Sequence, residues 1–142
     1  MVIGIGIDII EIERIKKSID TYGDSFLNKI YTKNELDYSL AKHNKYQHLA
    51  ARFAAKEAIY KALATGWEKD ATWKSIEITN EPNGLPVVTF FGKLKEFLSD
   101  DKDIKISLSH SDNYVACVAI IYKKYYSRFY YEKEIENLIL NQ

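Results

Sequence analysis

The stretch Arg52-Phe53-Ala54-Ala55-Lys56-Glu57-Ala58-Ile59-Tyr60-Lys61-Ala62-Leu63 constrains the fold more than any other part of the chain. It is rich in strong helix formers, and Thr65-Gly66 just beyond supplies a C-terminal stop. Its alanines, with Phe53, Ile59 and Leu63, give an apolar side suited to burial against a sheet. The same helix carries Arg52, Lys56, Glu57 and Lys61. Arg52 and Lys56 lie one turn apart, as do Glu57 and Lys61, so each pair shares a face. Taken alone, these charges describe a solvated face on which the Glu-to-Lys pair is worth about 0.3–0.5 kcal/mol. A chemical role needs partners from elsewhere in the chain.

One such partner lies near the N-terminus. Val2 to Ile10 alternates isoleucines with Gly4, Gly6 and Asp8, the period of a strand. The expectation is that Ile3, Ile5, Ile7 and Ile9 face a core. The opposite face is emptied by two glycines and then carries a carboxylate. Glycine weakens a strand, so two in alternation mean that something approaches the backbone closely. As a nucleotide-binding Gly-x-Gly loop the pattern is incomplete, because no third glycine follows.

Glu11 to Ile19 continues as a helix with Ile12, Ile15 and Ile19 on one side and Arg14, Lys16 and Lys17 on the remainder. Thr32-Lys33-Asn34-Glu35 has the spacing of a capping box, so another helix starts at Lys33. Lys42 to Lys45 is a polar break before the long helix, and His43 and His48 read as surface histidines. Trp73 to Thr79 alternates as a strand. Asn83-Gly84 then turns the chain into a strand at Val87 to Phe90, since both residues tolerate positive φ. A short helix around Phe91, Leu94, Phe97 and Leu98 precedes strands at Asp103 to Ser109 and Tyr114 to Tyr122. His110 ends the first of these, behind Ser107 and Ser109. Adjacent hairpins with helices grouped beside them indicate an α+β domain, a largely antiparallel sheet packed against the long central helix.

Composition removes several classes of function. A chain of 142 residues, 46% hydrophobic with two prolines, is one globular domain without a disordered linker. Lys and Arg number 20 against 20 Asp and Glu, which argues against general nucleic-acid binding. No apolar run reaches the length of a membrane span and no secretory leader is evident, so a cytoplasmic protein is expected. The one cysteine, Cys117, sits in an apolar run without metal-ligand spacing and reads as a small buried hydrophobe. The tail from Lys123 to Gln142 clusters Tyr125, Tyr126, Phe129, Tyr130 and Tyr131 ahead of Ile135, Leu138, Ile139 and Leu140. It reads as an amphipathic helix that packs on the domain or on another subunit.

Polar groups thus stand at three places where folding alone favours apolar ones: Asp8, Glu57 and His110. A carboxylate in an isoleucine-rich strand is unfavourable unless it is hydrogen-bonded, paired or bound to a cation. A strand carboxylate and a helix carboxylate together suit Mg²⁺, which takes its other ligands from waters and substrate phosphates. Lys61, one turn from Glu57, is suited to neutralise phosphate charge or protonate a leaving oxygen.

Gly4-Ile5-Gly6-Ile7-Asp8, then Arg52-Phe53-Ala54-Ala55-Lys56-Glu57-Ala58 with Lys61, resembles the bacterial holo-acyl-carrier-protein synthases, which are 4′-phosphopantetheinyl transferases. Further matches are Glu11 and Arg14 within Ile9 to Ile15, Thr32 with Glu35-Leu36, Asn83-Gly84 with Pro86, and Ser107-Leu108-Ser109-His110-Ser111. The resemblance covers residues 1–122 and leaves 123–142 as a C-terminal aromatic, amphipathic helical extension. It implies the 4′-phosphopantetheinyl transferase fold and transfer of the arm of coenzyme A to a serine of apo-acyl carrier protein. Asp8 and Glu57 match the family's Mg²⁺ ligands (Mn²⁺ takes the same oxygen donors), and Lys61 its phosphate partner. Coenzyme A contacts are implied for Arg52, Lys56, Gly66, Pro86, Ser109 and His110. Arg14 and Lys17 gain a role as a docking edge for an acidic carrier protein. The family is typically a homotrimer with sites between subunits, so His110 is expected from the neighbour of the chain that supplies Asp8 and Glu57. Two rival readings stay open at this level: another Mg²⁺-dependent transferase or hydrolase, and a non-catalytic module that binds carrier protein or coenzyme A.

Overall fold

The computed structural model describes residues 1–63, 71–98, 101–124 and 139–140. Strand β1 (Val2–Glu11) runs into helix α1 (Ile12–Tyr22), followed by α2 (Asp24–Ile30), α3 (Lys33–Leu40) and the long α4 (Lys45–Ala62). A single 3₁₀ turn at Trp73–Ser75 leads into β2 (Ile76–Asn80) and β3 (Pro86–Phe90). Then come the short α5 (Lys93–Phe97), β4 (Lys102–His110) and β5 (Tyr114–Lys123). The strands form an antiparallel three-stranded sheet in the order β1-β5-β4 and a separate β2-β3 hairpin. The α+β expectation holds. The expected C-terminal helix falls on residues that, apart from Lys123, Lys124, Ile139 and Leu140, lie outside the described ones, as do Thr65 and Gly66.

Helix α4 crosses the sheet on an almost side-chain-free seam. Its Ala50, Ala54, Ala55, Ala58 and Ala62 are buried together with Leu49 and Ile59. The glycines of β1 meet this seam directly. A Cβ at Gly4 would stand 2.2 Å from the Ala62 carbonyl oxygen, and one at Gly6 only 1.9 Å from that of Ala58. The close approach expected from the alternating glycines is therefore the backbone of α4 itself.

That contact reverses the expected orientation of the strand. With Gly4 and Gly6 on the helix, the isoleucines point the other way: Ile3 is 38%, Ile5 66%, Ile7 66% and Ile9 65% exposed. The core is supplied instead by Val115, Cys117, Ala119 and Ile121 of β5 and by Ile104 of β4. Alternation fixed which residues share a face, but the demand for backbone clearance decided which face packs.

Two further boundaries differ from the sequence reading. The strand expected from Trp73 begins only at Ile76, because Thr72 and Ser75 bracket a 3₁₀ turn through a hydrogen bond from Thr72 N to Ser75 Oγ (3.0 Å). Trp73 stacks on Phe53, ring centroids 5.1 Å apart, instead of entering the sheet. In the hairpin, only Gly84 takes positive φ (87°). Asn83 keeps an ordinary backbone and accepts a hydrogen bond from Leu85 N on its Oδ1 (3.0 Å).

The capping box forms as expected and reaches further than a cap. Glu35 N donates to Thr32 Oγ1 (3.3 Å) while Thr32 N donates to Glu35 Oε2 (2.9 Å). Glu35 Oε1 also accepts from Ile78 N (2.7 Å), and Oε2 pairs with Lys56 Nζ at 2.7 Å, both side chains being fully buried. Lys56 Nζ donates as well to the carbonyls of Ile30 (2.7 Å) and Trp73 (3.0 Å). This knot joins the end of α2, the start of α3, α4 and the hairpin.

Candidate active site

The strand parity that puts glycines against α4 also puts Asp8 on the helix side, one step past Gly6. There it meets the last turns of α4. Lys61 Nζ donates to Asp8 Oδ1 (2.8 Å) and to the carbonyl of Ile7 (3.0 Å). Glu57, one turn earlier, lines the same hollow as Asp8, with Arg14, Ile15 and Ser18 of α1 and with Phe53. The hollow holds about 270 Å³. Desolvation, and then the neighbouring Asp8 charge, push the Glu57 carboxyl above its ordinary range, against a smaller opposing effect of Lys61. The hydrogen bond to Asp8 holds the Lys61 ammonium above its usual range. Cys117, the register partner of Asp8, is buried, and burial with the Asp8 charge pushes its thiol up to about 12. It is an inert packing group, as its apolar surroundings in the sequence suggested.

A separate groove of about 500 Å³ opens on the other side of α4. Arg52 and His48 of α4, Pro86 of β3 and His110 at the end of β4 line it, with Tyr38 and Asn80. The Arg52 guanidinium is buried. It donates from Nη2 to Asn80 Oδ1 (2.9 Å) and from Nη1 to the His48 carbonyl (3.4 Å), while its Nε has no partner. Burial lowers the Arg52 pKa. It also lowers that of His48, with the charges of Arg52, Lys42 and His110 adding to the effect. The groove is thus a basic wall with an apolar floor at Ile78, Ile106 and Leu108.

The structure brings Asp8, Glu57, Lys61 and Arg14 together, and separately Arg52, Pro86 and His110. It does not bring Lys56 to either hollow. That side chain is fully buried with its ammonium held by Glu35 and two carbonyls, so the contact expected from it is replaced by an internal structural role. Ser109 lies on the opposite sheet face from His110, because neighbours in a strand point to opposite sides, and it does not line the groove. Lys17 is exposed on α1 and lines neither hollow. Gly66 lies outside the described residues.

The sequence reading missed Tyr38, His48 and Asn80. His48 stands one turn before Arg52 on the same helix, a spacing that signals a shared face. Tyr38 and Asn80 reach the groove from α3 and β2, and no local spacing announces them.

Two carboxylates in one hollow are hard oxygen donors, and the difficulty of ionising Glu57 beside Asp8 is what a cation between them relieves. The donor set fits a divalent ion such as Mg²⁺. Among the described residues no group of three or more His, Cys, Asp or Glu forms a fuller cage. Such an ion would therefore draw its remaining ligands from water and substrate.

Residues 4–119 match the family model of the 4′-phosphopantetheinyl transferase superfamily. A holo-[acyl-carrier-protein] synthase from Protochlamydia amoebophila is 46% identical over 120 residues, 84% of this chain and 98% of that protein. Among solved structures, the holo-[acyl-carrier-protein] synthase of Neisseria meningitidis superposes with a TM-score of 0.79 at 30% identity, covering 87% of this chain and all (100%) of the other. That of Helicobacter pylori in complex with coenzyme A superposes with a TM-score of 0.71 at 30% identity, covering 83% of this chain and 99% of the other. Among the described residues no helix is long and apolar enough to cross a membrane.

Proposed function

The chain belongs to the 4′-phosphopantetheinyl transferase superfamily, among the holo-[acyl-carrier-protein] synthases, and from that premise we propose the reaction it performs. It transfers 4′-phosphopantetheine from coenzyme A to a serine hydroxyl of apo-acyl carrier protein, releasing adenosine 3′,5′-bisphosphate. The observation that carries this reading is the meeting of Asp8 and Glu57 in one hollow, with Lys61 donating to Asp8.

The serine oxygen attacks the pantetheine-side phosphorus of the pyrophosphate. A P–O bond to serine forms as the bond to the bridging oxygen breaks, and that oxygen leaves on the nucleotide. Mg²⁺ between Asp8 and Glu57, or Mn²⁺ on the same oxygens, would supply charge neutralisation for the pyrophosphate. Lys61, a half-exposed cation paired with Asp8, offers hydrogen bonds to the departing phosphate. Glu57, which lines the same hollow, is placed to accept the serine proton. Arg14 at the hollow's rim and Lys17 further along α1 form a basic edge for an acidic carrier, whose association weakens as salt rises. Coenzyme A occupies the Arg52–His110 groove. A reducing cytoplasm suits a chain with a single free thiol.

We further propose a homotrimer whose sites are completed across subunits. The two sets of site residues occupy separate hollows of one chain. The isoleucine face of β1 is uncovered and apolar enough to be an interface.

The direct test incubates purified protein with apo-acyl carrier protein, coenzyme A and Mg²⁺ and weighs the carrier by mass spectrometry. One added phosphopantetheine is expected, with Glu57→Gln slowing turnover by on the order of 10²-fold or more. An unchanged mass across several carriers refutes the reading.

A further inference from the structure

The basic end of the groove poses a physical problem. Arg52, Lys42, His48 and His110 are near enough for three of them to depress the His48 pKa, so before any anion arrives they repel one another. Among these groups stands an aromatic ring. The Tyr38 ring, on α3, has the Arg52 Cζ at 4.5 Å and the Lys42 Nζ at 4.6 Å from its centroid. It also meets the His48 ring edge-on, centroids 5.5 Å apart at 82°. The ring therefore touches three of the four basic groups, and it lines the groove itself.

Resting on the proposed reaction, we propose that Tyr38 is a positioning residue that sets the affinity for coenzyme A. Its π-face holds the Arg52 and Lys42 cations converged on the groove so that the polyanionic substrate meets a preformed basic wall. The negative face of the ring stabilises cations without neutralising them, which a carboxylate at this position would do. Among the described residues, the buried Arg52 has one side-chain acceptor, Asn80, and an Nε without a hydrogen-bond partner. The ring thus supplies part of what holds it. Lys42 is exposed on the connection between α3 and α4, and the ring gives it a preferred place beside a residue that lines the groove. Losing this preorganisation weakens binding of the ground state and transition state alike, so it appears in KM and not in kcat.

Steady-state transfer kinetics on Tyr38→Leu and Tyr38→Phe test this, with product binding measured by calorimetry using adenosine 3′,5′-bisphosphate as the probe. Tyr38→Leu is expected to raise the KM for coenzyme A about 5–10-fold with kcat within twofold of the parent. The affinity for the bisphosphate falls by a similar factor. Tyr38→Phe, which keeps the ring, restores both values. A thermal midpoint of Tyr38→Leu within a few degrees of the parent shows that the fold is intact. If the parent transfers phosphopantetheine and Tyr38→Leu keeps the parent KM, the role of Tyr38 is overturned while the reaction stands. The role is equally overturned if Phe fails to rescue, or if kcat falls instead of KM rising. A parent protein that transfers nothing but binds the bisphosphate through Tyr38 overturns the reaction alone.

Discussion

Glu57 carries a stability penalty beside the chemical role proposed for it. Desolvation and the Asp8 charge raise its pKa in the folded state. A carboxyl whose folded pKa lies above the unfolded one favours the fold fully in acid, and that contribution is lost as pH rises through the raised value. At neutral pH the ionised group therefore destabilises the fold, though solvent screens much of the effect at a partly exposed site. Glu57→Gln is expected to raise the thermal midpoint at pH 7 in chelator-treated protein by on the order of a degree. The gain disappears below the ordinary carboxylate range. A variant less stable than the parent at pH 7 contradicts this assignment. Lys56, the residue before it, also has its charged form disfavoured by burial, which lowers its pKa, but its ammonium is enclosed and paired with Glu35. Lys56→Met strands that carboxylate and is expected to cost about 3–5 kcal/mol in urea unfolding. Adding Glu35→Gln removes the stranded charge and recovers part of the loss. Of two adjacent charges in one helix, one is structural and the other is the proposed chemical group, and no helical spacing separates them. What separates them is that Glu35, 21 positions upstream, reaches Lys56 and not Glu57.

At the scale of elements, the pairing of β1 with α4 builds the site. Two glycines and a row of alanines let strand and helix backbones nearly touch, which carries Asp8 within a hydrogen bond of Lys61. Gly6→Ala must push β1 off the helix. It is expected to destabilise the fold by about 1–3 kcal/mol or more and to reduce transfer even below the melting temperature. Thermal denaturation with the carrier mass assay checks both, and an unaffected variant refutes the close seam. Most of the elements were legible in the sequence, since period-2 and period-3.6 patterns and the Thr32–Glu35 box are local signals, but α2 was not among them. The buried face of β1 was not. Isoleucine hydrophobicity and glycine clearance make opposite demands there, and only the position of α4 decides between them. Trp73 was misread for a related reason: its best partner, Phe53, is an aromatic ring on α4 and not a strand neighbour. The Asp8–Glu57 half of the site could be guessed from misplaced polar groups. Tyr38 and Asn80 could not, because they meet Arg52 only after three elements have packed.

For the whole molecule, the proposed assembly would account for the exposed isoleucines and the divided site together, by covering the β1 face and bringing two half-sites to face each other. Complementation between subunits tests this most directly. One variant carries Asp8→Asn with Glu57→Gln, the other Arg52→Gln with His110→Ala, so that each disables one hollow and neither transfers phosphopantetheine alone. The two are unfolded together and refolded as a mixture, and carrier modification is followed by mass spectrometry. Random mixing in a cyclic homo-oligomer with one site per interface pairs two intact halves at about a quarter of the interfaces. Transfer at about a quarter of the parent rate is therefore the expected result. A mixture as inactive as its two components contradicts the shared site.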